Sequence, residues 1–215
     1  MTRHQLFVYG GAFLLGCLVS VAMASAQIAD YSISAGYSHF HPQTNGGLFF
    51  DRDGPYLDAD FAFRVPDPRS PLQLGFGLTG SGYFESQNFQ FPFNNNTIAQ
   101  TNLDSDVDFF EIEPRIGLQL WLPGGFFFKP RLGAGLLINN YSIDQASTNN
   151  NVTIFNTDNH TGAAFEVRPA IQGGYTWGPA AFGIELSYMW AWGSFGALGD
   201  RAGEFRAGAF FTFRY

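Results

Sequence analysis

The sequence predicts an all-β chain that folds as an eight-stranded antiparallel up-and-down transmembrane β-barrel. Three observations lead to this prediction: apolar residues recur at every second position in eight segments, the connections alternate between long and short, and the last segment ends at the terminal residue, Tyr215. Composition agrees, because 26 glycines disfavour helices, 18% aromatic residues favour strands, and only 13% of the residues are charged.

The N-terminal segment predicts a secretory signal peptide over residues 1–26, which leaves the barrel domain over residues 27–215. Arg3 precedes an apolar run, and small residues ending at Ala26 suit a cleavage site. A retained membrane helix is the alternative, since the run approaches the roughly 20 residues that span a bilayer. Cys17 follows a lipobox-like sequence, but the apolar run continues past it.

Charge disfavours nucleic acid as a partner. The chain has 11 basic and 18 acidic residues, and cleavage after Ala26 removes one base, Arg3. The remaining balance is strongly acidic, so no basic surface is left to follow a phosphate backbone.

The alternation divides each strand into an apolar and a polar face. In one segment Leu57, Ala59, Phe61 and Phe63 alternate with Asp58, Asp60, Ala62 and Arg64. The same pattern predicts strands around Tyr31, Leu74, Ile116, Leu132, Ile171, Leu186 and Phe211. Short turns are predicted over residues 66–69, 123–125 and 178–179, and long loops over residues 41–54, 85–106, 142–161 and 193–203.

Three prolines fall within predicted strands. Pro114, Pro130 and Pro169 each lack the N–H group that a ladder hydrogen bond needs. We therefore expect them at bulges or at rim positions.

The polar face carries equal numbers of acids and bases. They are Asp58, Asp60, Glu111, Glu113, Glu166, Glu185 and Glu204, with Arg64, Arg115, Lys129, Arg131, Arg168, Arg206 and Arg214. Charges taken out of water are costly unless paired, so this balance predicts an enclosed lumen filled by a charge network. The network is interpreted as a plug rather than a gated ion path. A soluble barrel with an apolar interior is the alternative to the lipid-facing apolar surface.

The aromatic residues indicate membrane interfaces. Tyr188, Trp190 and Trp192 crowd one end of a strand, as in an aromatic girdle. The last strand ends in an alternating run of Phe211, Phe213 and Tyr215.

With these features the chain resembles the OmpA-like and OmpX-like families of small Gram-negative outer-membrane β-barrels. The resemblance covers nearly the whole chain after Ala26. It implies the cell outer membrane as location, a monomer, and contact with outer-membrane lipid and lipopolysaccharide. It also implies that Phe211, Phe213 and Tyr215 are the signal read by the barrel-assembly machinery, although a terminal tyrosine departs from the commoner phenylalanine.

The functional prediction is a non-enzymatic protein with a structural or surface-interaction role, which meets an extracellular ligand through its four long loops. A small porin-like passive channel is one alternative. A lipid A-modifying barrel enzyme that uses Ser38 or His39 is the other.

We expect no cofactor, no metal and no catalytic residue. His39, His41 and His160 are interpreted as solvated rim residues. Asp104, Asp106 and Asp108 offer oxygen ligands for Ca²⁺, but they lack the glycine and glutamate of an EF-hand loop and are interpreted as a solvated acidic segment. Phe89, Phe91 and Phe93 predict either a contact surface or a hairpin that extends above the membrane.

Overall fold

A computed structural model describes residues 29–42, 51–65, 69–93, 97–149, 152–195 and 199–215. The predicted signal peptide and Cys17 lie outside these residues, as do parts of the predicted loops and the side chains of Phe89, Phe91 and Phe93. The strands are β1 (Ala29–Pro42), β2 (Arg52–Arg64), β3 (Leu72–Phe93), β4 (Thr97–Leu118), β5 (Leu120–Trp121), β6 (Phe126–Asn149), β7 (Val152–Trp177), β8 (Ala180–Gly193) and β9 (Arg201–Arg214).

The strands form one closed antiparallel barrel. The two-residue β5 continues β4 beyond Gln119, so β4 and β5 together count as one of the eight strands of the barrel. Apart from β4 and β5, each strand pairs with the next along the chain; β4 pairs with β6, and β9 pairs with β1. The predicted eight-stranded antiparallel up-and-down barrel is confirmed.

The stagger of the strands follows from the register. Paired residues traced once round the barrel from Phe211 return to β9 at Arg201, ten residues away. The path runs through Ile33, Ala59, Leu78, Ile112, Leu136, Phe165 and Trp192. A stagger of ten over eight strands tilts them by about 40° to the barrel axis.

One end of the barrel, the turn rim, carries the short connections. These lie between β2 and β3, at the 3-10 turn Pro123–Gly125, and at residues 178–179, as predicted. Gly124, Gly125 and Gly178 have φ of 78°, 87° and 60°, a backbone region that favours glycine. The first and last described residues meet here too, because Ala29 and Tyr215 exchange two backbone hydrogen bonds.

The opposite end, the hairpin rim, differs from the prediction. The prediction of loops over residues 85–106 and 142–161 is wrong. Instead, β3 pairs with β4 out to Phe93 and Thr97, and β6 pairs with β7 out to Asn149 and Val152. β2 stops pairing with β3 at Ser81, so β3, β4, β6 and β7 continue as a four-stranded extension beyond the barrel. The twelve further residues of β3 reach roughly 40 Å along the strand.

The three strand prolines do not form bulges. Each keeps a partner on one neighbouring strand and lies in a gap of the ladder on its other side: Pro114 between β4 and β6, Pro130 where β4 gives way to β5, and Pro169 between β7 and β8. The register is the same on both sides of each gap, so no residue is inserted. The prediction of bulges or rim positions is wrong, because a single missing N–H group is accommodated by a local loss of pairing.

The apolar face of the strands points outward. Ile33, Leu57, Ile184 and Phe211 are all more than half exposed. On β8 the apolar stripe runs from Phe182 to Trp192, which at about 3.3 Å per residue and the tilt above makes a band roughly 25 Å tall. That height equals the hydrocarbon band of outer-membrane barrels. The soluble alternative with an apolar interior is wrong, because the charged face is the enclosed one.

Aromatic residues lie at both edges of this apolar band. Exposed Phe126 and Trp177 lie near the turn rim, and exposed Trp190 and Trp192 lie towards the hairpin rim. Among the described residues no helix is long and apolar enough to cross a membrane.

Glycines on the inward face provide space for the charged side chains. A Cβ atom on Gly133 would lie 1.8 Å from Glu113 Oε2, and one on Gly77 would lie 1.9 Å from Arg115 Cζ. A Cβ atom on the outward-facing Gly173 would have no heavy atom within 4 Å. The inward glycines are therefore a packing requirement of the lumen.

We predict that Gly133→Ala lowers the free energy of unfolding by about 1–3 kcal/mol, because the added methyl group displaces a carboxylate held in place by its partners. The matched control Gly173→Ala should leave stability unchanged. Urea unfolding of the refolded protein in phospholipid vesicles, followed by tryptophan fluorescence, measures both. Equal midpoints for the two variants would contradict the packing role.

Candidate functional site

The structure places all fourteen charged residues predicted for the lumen on the inward face. Thirteen are buried, and Arg214 is the exception with a side chain that is 30% exposed. They form three layers along the barrel axis, described here from the hairpin rim to the turn rim.

The first layer joins two arginines to three glutamates. Arg168 lies 2.7 Å from Glu111 and 3.3 Å from both Glu166 and Glu204. Arg206 contacts Glu111 and lies 2.7 Å from Glu204. The Tyr83 hydroxyl also hydrogen-bonds Glu204. Four strands are thereby linked across the lumen by charge-assisted hydrogen bonds.

The second layer is centred on Arg115. Its guanidinium group binds Asp58 through two hydrogen bonds of 2.6 and 2.8 Å and lies 3.2 Å from Asp60. It also hydrogen-bonds Glu113, whose carboxylate lies 3.7 Å from Arg168 and so connects the two layers. Arg115 therefore contacts carboxylates from two strands.

Arg131 completes the second layer. It lies 2.6 Å from Glu185 and 3.4 Å from Asp60, and Gln172 hydrogen-bonds the second carboxylate oxygen of Glu185. Lys129 is buried beside Asp60, where it lines a small cavity. The cavity has room for about one water molecule, so the layer is almost completely filled.

The third layer, near the turn rim, contains an acid that the sequence analysis missed. Asp30 is buried and lies 2.8 Å from Arg214 and 3.5 Å from Arg64. Gln73 donates a 2.8 Å hydrogen bond to it. Asp30 was missed because it precedes Tyr31, the first residue of the apolar stripe, although its position matches the inward frame of β1.

Arg52 is a further buried base that the sequence analysis missed. With Asp30 and Arg52 added, the described inward face carries eight acids and eight bases. The charge balance predicted from the alternation therefore persists in the larger set.

An apolar lid closes the lumen towards the hairpin rim. Its largest members are fully buried: Phe40, Tyr83, Phe109, Leu137, Met189 and Phe195. Phe40 and Phe109 stack edge to face with ring centres 4.8 Å apart. The sequence analysis overlooked this lid, although Phe109 shares the inward frame of Glu111, and Met189 shares that of Glu185.

Aromatic groups also lie at the turn rim. The guanidinium groups of Arg64 and Arg214 lie 5.5 and 5.4 Å from the centre of the Trp121 ring. Phe127 lies 6.1 Å from Trp121 and 6.0 Å from Phe210, again between ring centres. The charged layers thus lie between aromatic groups at both ends.

Ser38 and His39 do not form a catalytic pair. Ser38 is buried and donates a hydrogen bond to the carbonyl oxygen of Gly54, whereas His39 is on the outward face. A second serine and histidine do meet, since His160 Nε2 lies 3.2 Å from Ser194 Oγ near the hairpin rim. Among the described residues no carboxylate contacts His160, so this pair lacks the group that orients a catalytic base.

Polar residues face outward beyond the apolar band. Asp104 and Asp106 are exposed on β4, and Asp108 is half-buried on the same face. On β1 and β2, His39 hydrogen-bonds Asp53 at 2.7 Å. This hydrogen bond holds the pKa of the Asp53 carboxyl below its usual range. The predicted assembly signal, Phe211, Phe213 and Tyr215, is also outward and exposed, at the turn rim end of β9.

No family model matches the chain, and no curated protein matches it. Among solved structures it is similar to Ail of Yersinia pestis, crystallised with the heparin analogue sucrose octasulfate, at 14% identity over 86% of this chain and 99% of Ail (TM-score 0.48). It is similar to Neisserial surface protein A at 12% identity over 87% and 97% (TM-score 0.40). It is also similar to the outer membrane protease OmpT of Escherichia coli at 9% identity over 88% and 97% (TM-score 0.49). These likenesses concern the fold alone.

We predict that Arg115→Ala destabilises the barrel by about 3–5 kcal/mol, because Asp58, Asp60 and Glu113 lose their shared partner inside the lumen. Arg201→Ala removes an exposed arginine and is the matched control, for which we expect almost no change. Equilibrium unfolding in urea and heat-modifiable gel mobility measure the difference. An unfolding midpoint for Arg115→Ala equal to that of the control would count against the network.

Proposed function

We propose that this protein is a non-enzymatic outer-membrane barrel that acts through its four-stranded extension at the cell surface. The observation that carries the proposal is the contrast between a lumen filled by paired charges and an extension that continues well beyond the barrel. The barrel anchors the protein in the membrane, and the extension binds the ligand.

An outer-membrane location is supported by the apolar band and its aromatic edges. The band is roughly 25 Å tall and surrounds the barrel, which matches the hydrocarbon layer. In this orientation the turn rim faces the periplasm and the hairpin rim faces outward. The protein would be a monomer, and outer-membrane lipid and lipopolysaccharide would surround its apolar band. The barrel-assembly machinery would read Phe211, Phe213 and Tyr215.

A passive channel is the second candidate, and the filled lumen argues against it. A solute would have to displace Arg115 and Arg168 from several carboxylates and then pass between Phe40 and Phe109. Each displaced ion pair leaves buried charges without partners, which is expensive in a narrow lumen.

A lipid A-modifying enzyme is less well supported. Ser38 and His39 lie on opposite faces of β1, so neither can activate the other. Ser194 and His160 are close, but they lack an orienting carboxylate among the described residues.

The charge around the extension indicates the chemistry of its partner. The exposed charged side chains described beyond the apolar band on the hairpin-rim side are Asp51, Asp53, Asp104, Asp106, Asp144 and Asp200, against a single arginine, Arg201. Asp104 is directly opposite Asp144, an arrangement of like charges that a cationic partner would relieve. We therefore infer a basic protein or peptide surface as the ligand rather than a sulfated polysaccharide.

Planar-bilayer recording tests whether the lumen of the barrel conducts ions. We expect no stable conductance from the wild-type protein, because paired charged side chains fill the lumen. Phe109→Ala, which removes part of the lid but no charge, should also remain silent because the ion-paired layers persist. Large and stable wild-type openings would favour the channel instead.

Shortening the extension tests whether the extension binds the ligand. Residues 84–106 and 143–158 would each be replaced by Asn-Gly, which removes Asp104, Asp106 and Asp144 and closes a two-residue hairpin in the existing register. The variant should keep its heat-modifiable mobility, which shows that the barrel is folded.

Binding of nanodisc-embedded protein to an immobilised lysine-rich peptide and to heparin is then compared by surface plasmon resonance. We expect wild type to bind the peptide in a salt-sensitive manner, and the shortened variant to lose that binding. A preference for heparin, or peptide binding unaffected by shortening, would contradict the proposal.

A further inference from the structure

Two histidines and two aspartates meet on the outward face, where β1 and β2 approach the hairpin rim. His39 and His41 are two residues apart on one strand, and Asp51 and Asp53 are two residues apart at the start of the next. Such spacing puts each pair on one face of its strand. The register sets His39 directly opposite Asp53. All four side chains are between 34% and 60% exposed, so an ion from solution can reach them.

The distances between the potential ligand atoms fit a metal ion. His39 Nε2 is 3.6 Å from Asp51 Oδ2, and His41 Nδ1 is 3.3 Å from Asp51 Oδ1. One ligand atom from each of the three residues lies within 4.8 Å of the others. Two ligands that are each about 2.0–2.1 Å from a tetrahedral ion are about 3.4 Å apart. The two histidine–carboxylate distances, which involve different oxygens of Asp51, are close to that value.

Asp53 orients one of the two imidazoles. Its Oδ1 lies 2.7 Å from His39 Nδ1, and the Tyr37 hydroxyl hydrogen-bonds the same carboxylate. When the Nδ1–H group of neutral His39 donates a hydrogen bond to Asp53, Nε2 keeps its lone pair on the side of Asp51. A carboxylate behind a histidine in this way is the usual support of a metal-binding imidazole.

The second imidazole has a nitrogen whose hydrogen-bonding capacity is unused. His41 Nδ1 is shielded from solvent and has no hydrogen-bond partner among the described residues, although Asp51 is nearby. A shielded nitrogen of this kind is costly unless something binds it. A metal ion between His41 and Asp51 would use this lone pair.

We propose that His39, His41 and Asp51 bind a first-row divalent transition ion, with Zn²⁺ as the preferred ion and Asp53 as a positioning residue. Two imidazoles and one carboxylate suit Zn²⁺, Cu²⁺ or Ni²⁺, whereas Ca²⁺ and Mg²⁺ prefer oxygen ligands alone. Three protein ligands leave the fourth tetrahedral position for water or an external group. The ion joins the outer ends of β1 and β2, next to the membrane surface.

Zinc titration of the full chain, refolded in detergent without a histidine tag, tests the site. We expect one Zn²⁺ per chain by isothermal calorimetry, and a large molar excess of Ca²⁺ should not displace it. Co²⁺ added in place of Zn²⁺ should give the visible absorption of a tetrahedral complex. The variants His39→Gln, His41→Gln and Asp51→Asn should each abolish this saturable binding.

Two further variants separate ligands from other residues. Asp53→Asn should weaken Zn²⁺ binding by about 10–100-fold without changing the stoichiometry, because it loosens the orientation of His39. His160→Gln changes a histidine outside the cluster and should bind as wild type does. Heat-modifiable mobility verifies that each variant is folded, and a variant that fails to fold is replaced by its neighbour in the ligand set. Unaltered Zn²⁺ binding in two folded ligand variants, or Ca²⁺ binding as tight as Zn²⁺ binding, would overturn the proposal.

Discussion

The pairing of charges inside the barrel is the constraint on which the rest of the structure depends. An eight-stranded barrel leaves room for side chains but little for water, so charged groups on its inner face lose their hydration. Stability then requires that each acid meets a base. Arg115 and Arg168 satisfy this requirement by contacting several carboxylates at once, on strands that are not neighbours in the sequence. The ten-residue stagger brings these groups to matching levels.

Other features of the lumen support that pairing. Gly77 and Gly133 leave the space that Arg115 and Glu113 occupy. The apolar lid excludes water at the hairpin end, and a water-poor interior strengthens each ion pair as well as the penalty for breaking one. A lumen built in this way has no spare volume for a solute. We therefore propose that recognition takes place on the extension of β3, β4, β6 and β7.

The sequence predicted the number of strands and their inward faces because period-two alternation is a local property. Asp58 and Arg64 are inward for the same reason that Leu57 and Phe63 are outward. It did not predict that Arg115 meets Asp58, because ion-pair partners depend on the stagger of distant strands. It also misjudged residues 85–106, whose polar composition is typical of a loop, because pairing beyond the membrane is determined by the partner strand and not by burial. The approach of His41 to Asp51 was missed for a similar reason, since it requires the β1–β2 register.

A double-mutant cycle on the central ion pair tests this account most directly. Arg115→Met and Asp58→Asn each remove one partner, and the double variant removes both, with stability measured by urea unfolding in lipid vesicles. If the paired lumen holds the barrel together, the double variant will be more stable than the sum of the single effects implies, with a coupling free energy of about 1–3 kcal/mol. Additive effects, with a coupling near zero, would contradict the claim that this pairing governs the fold.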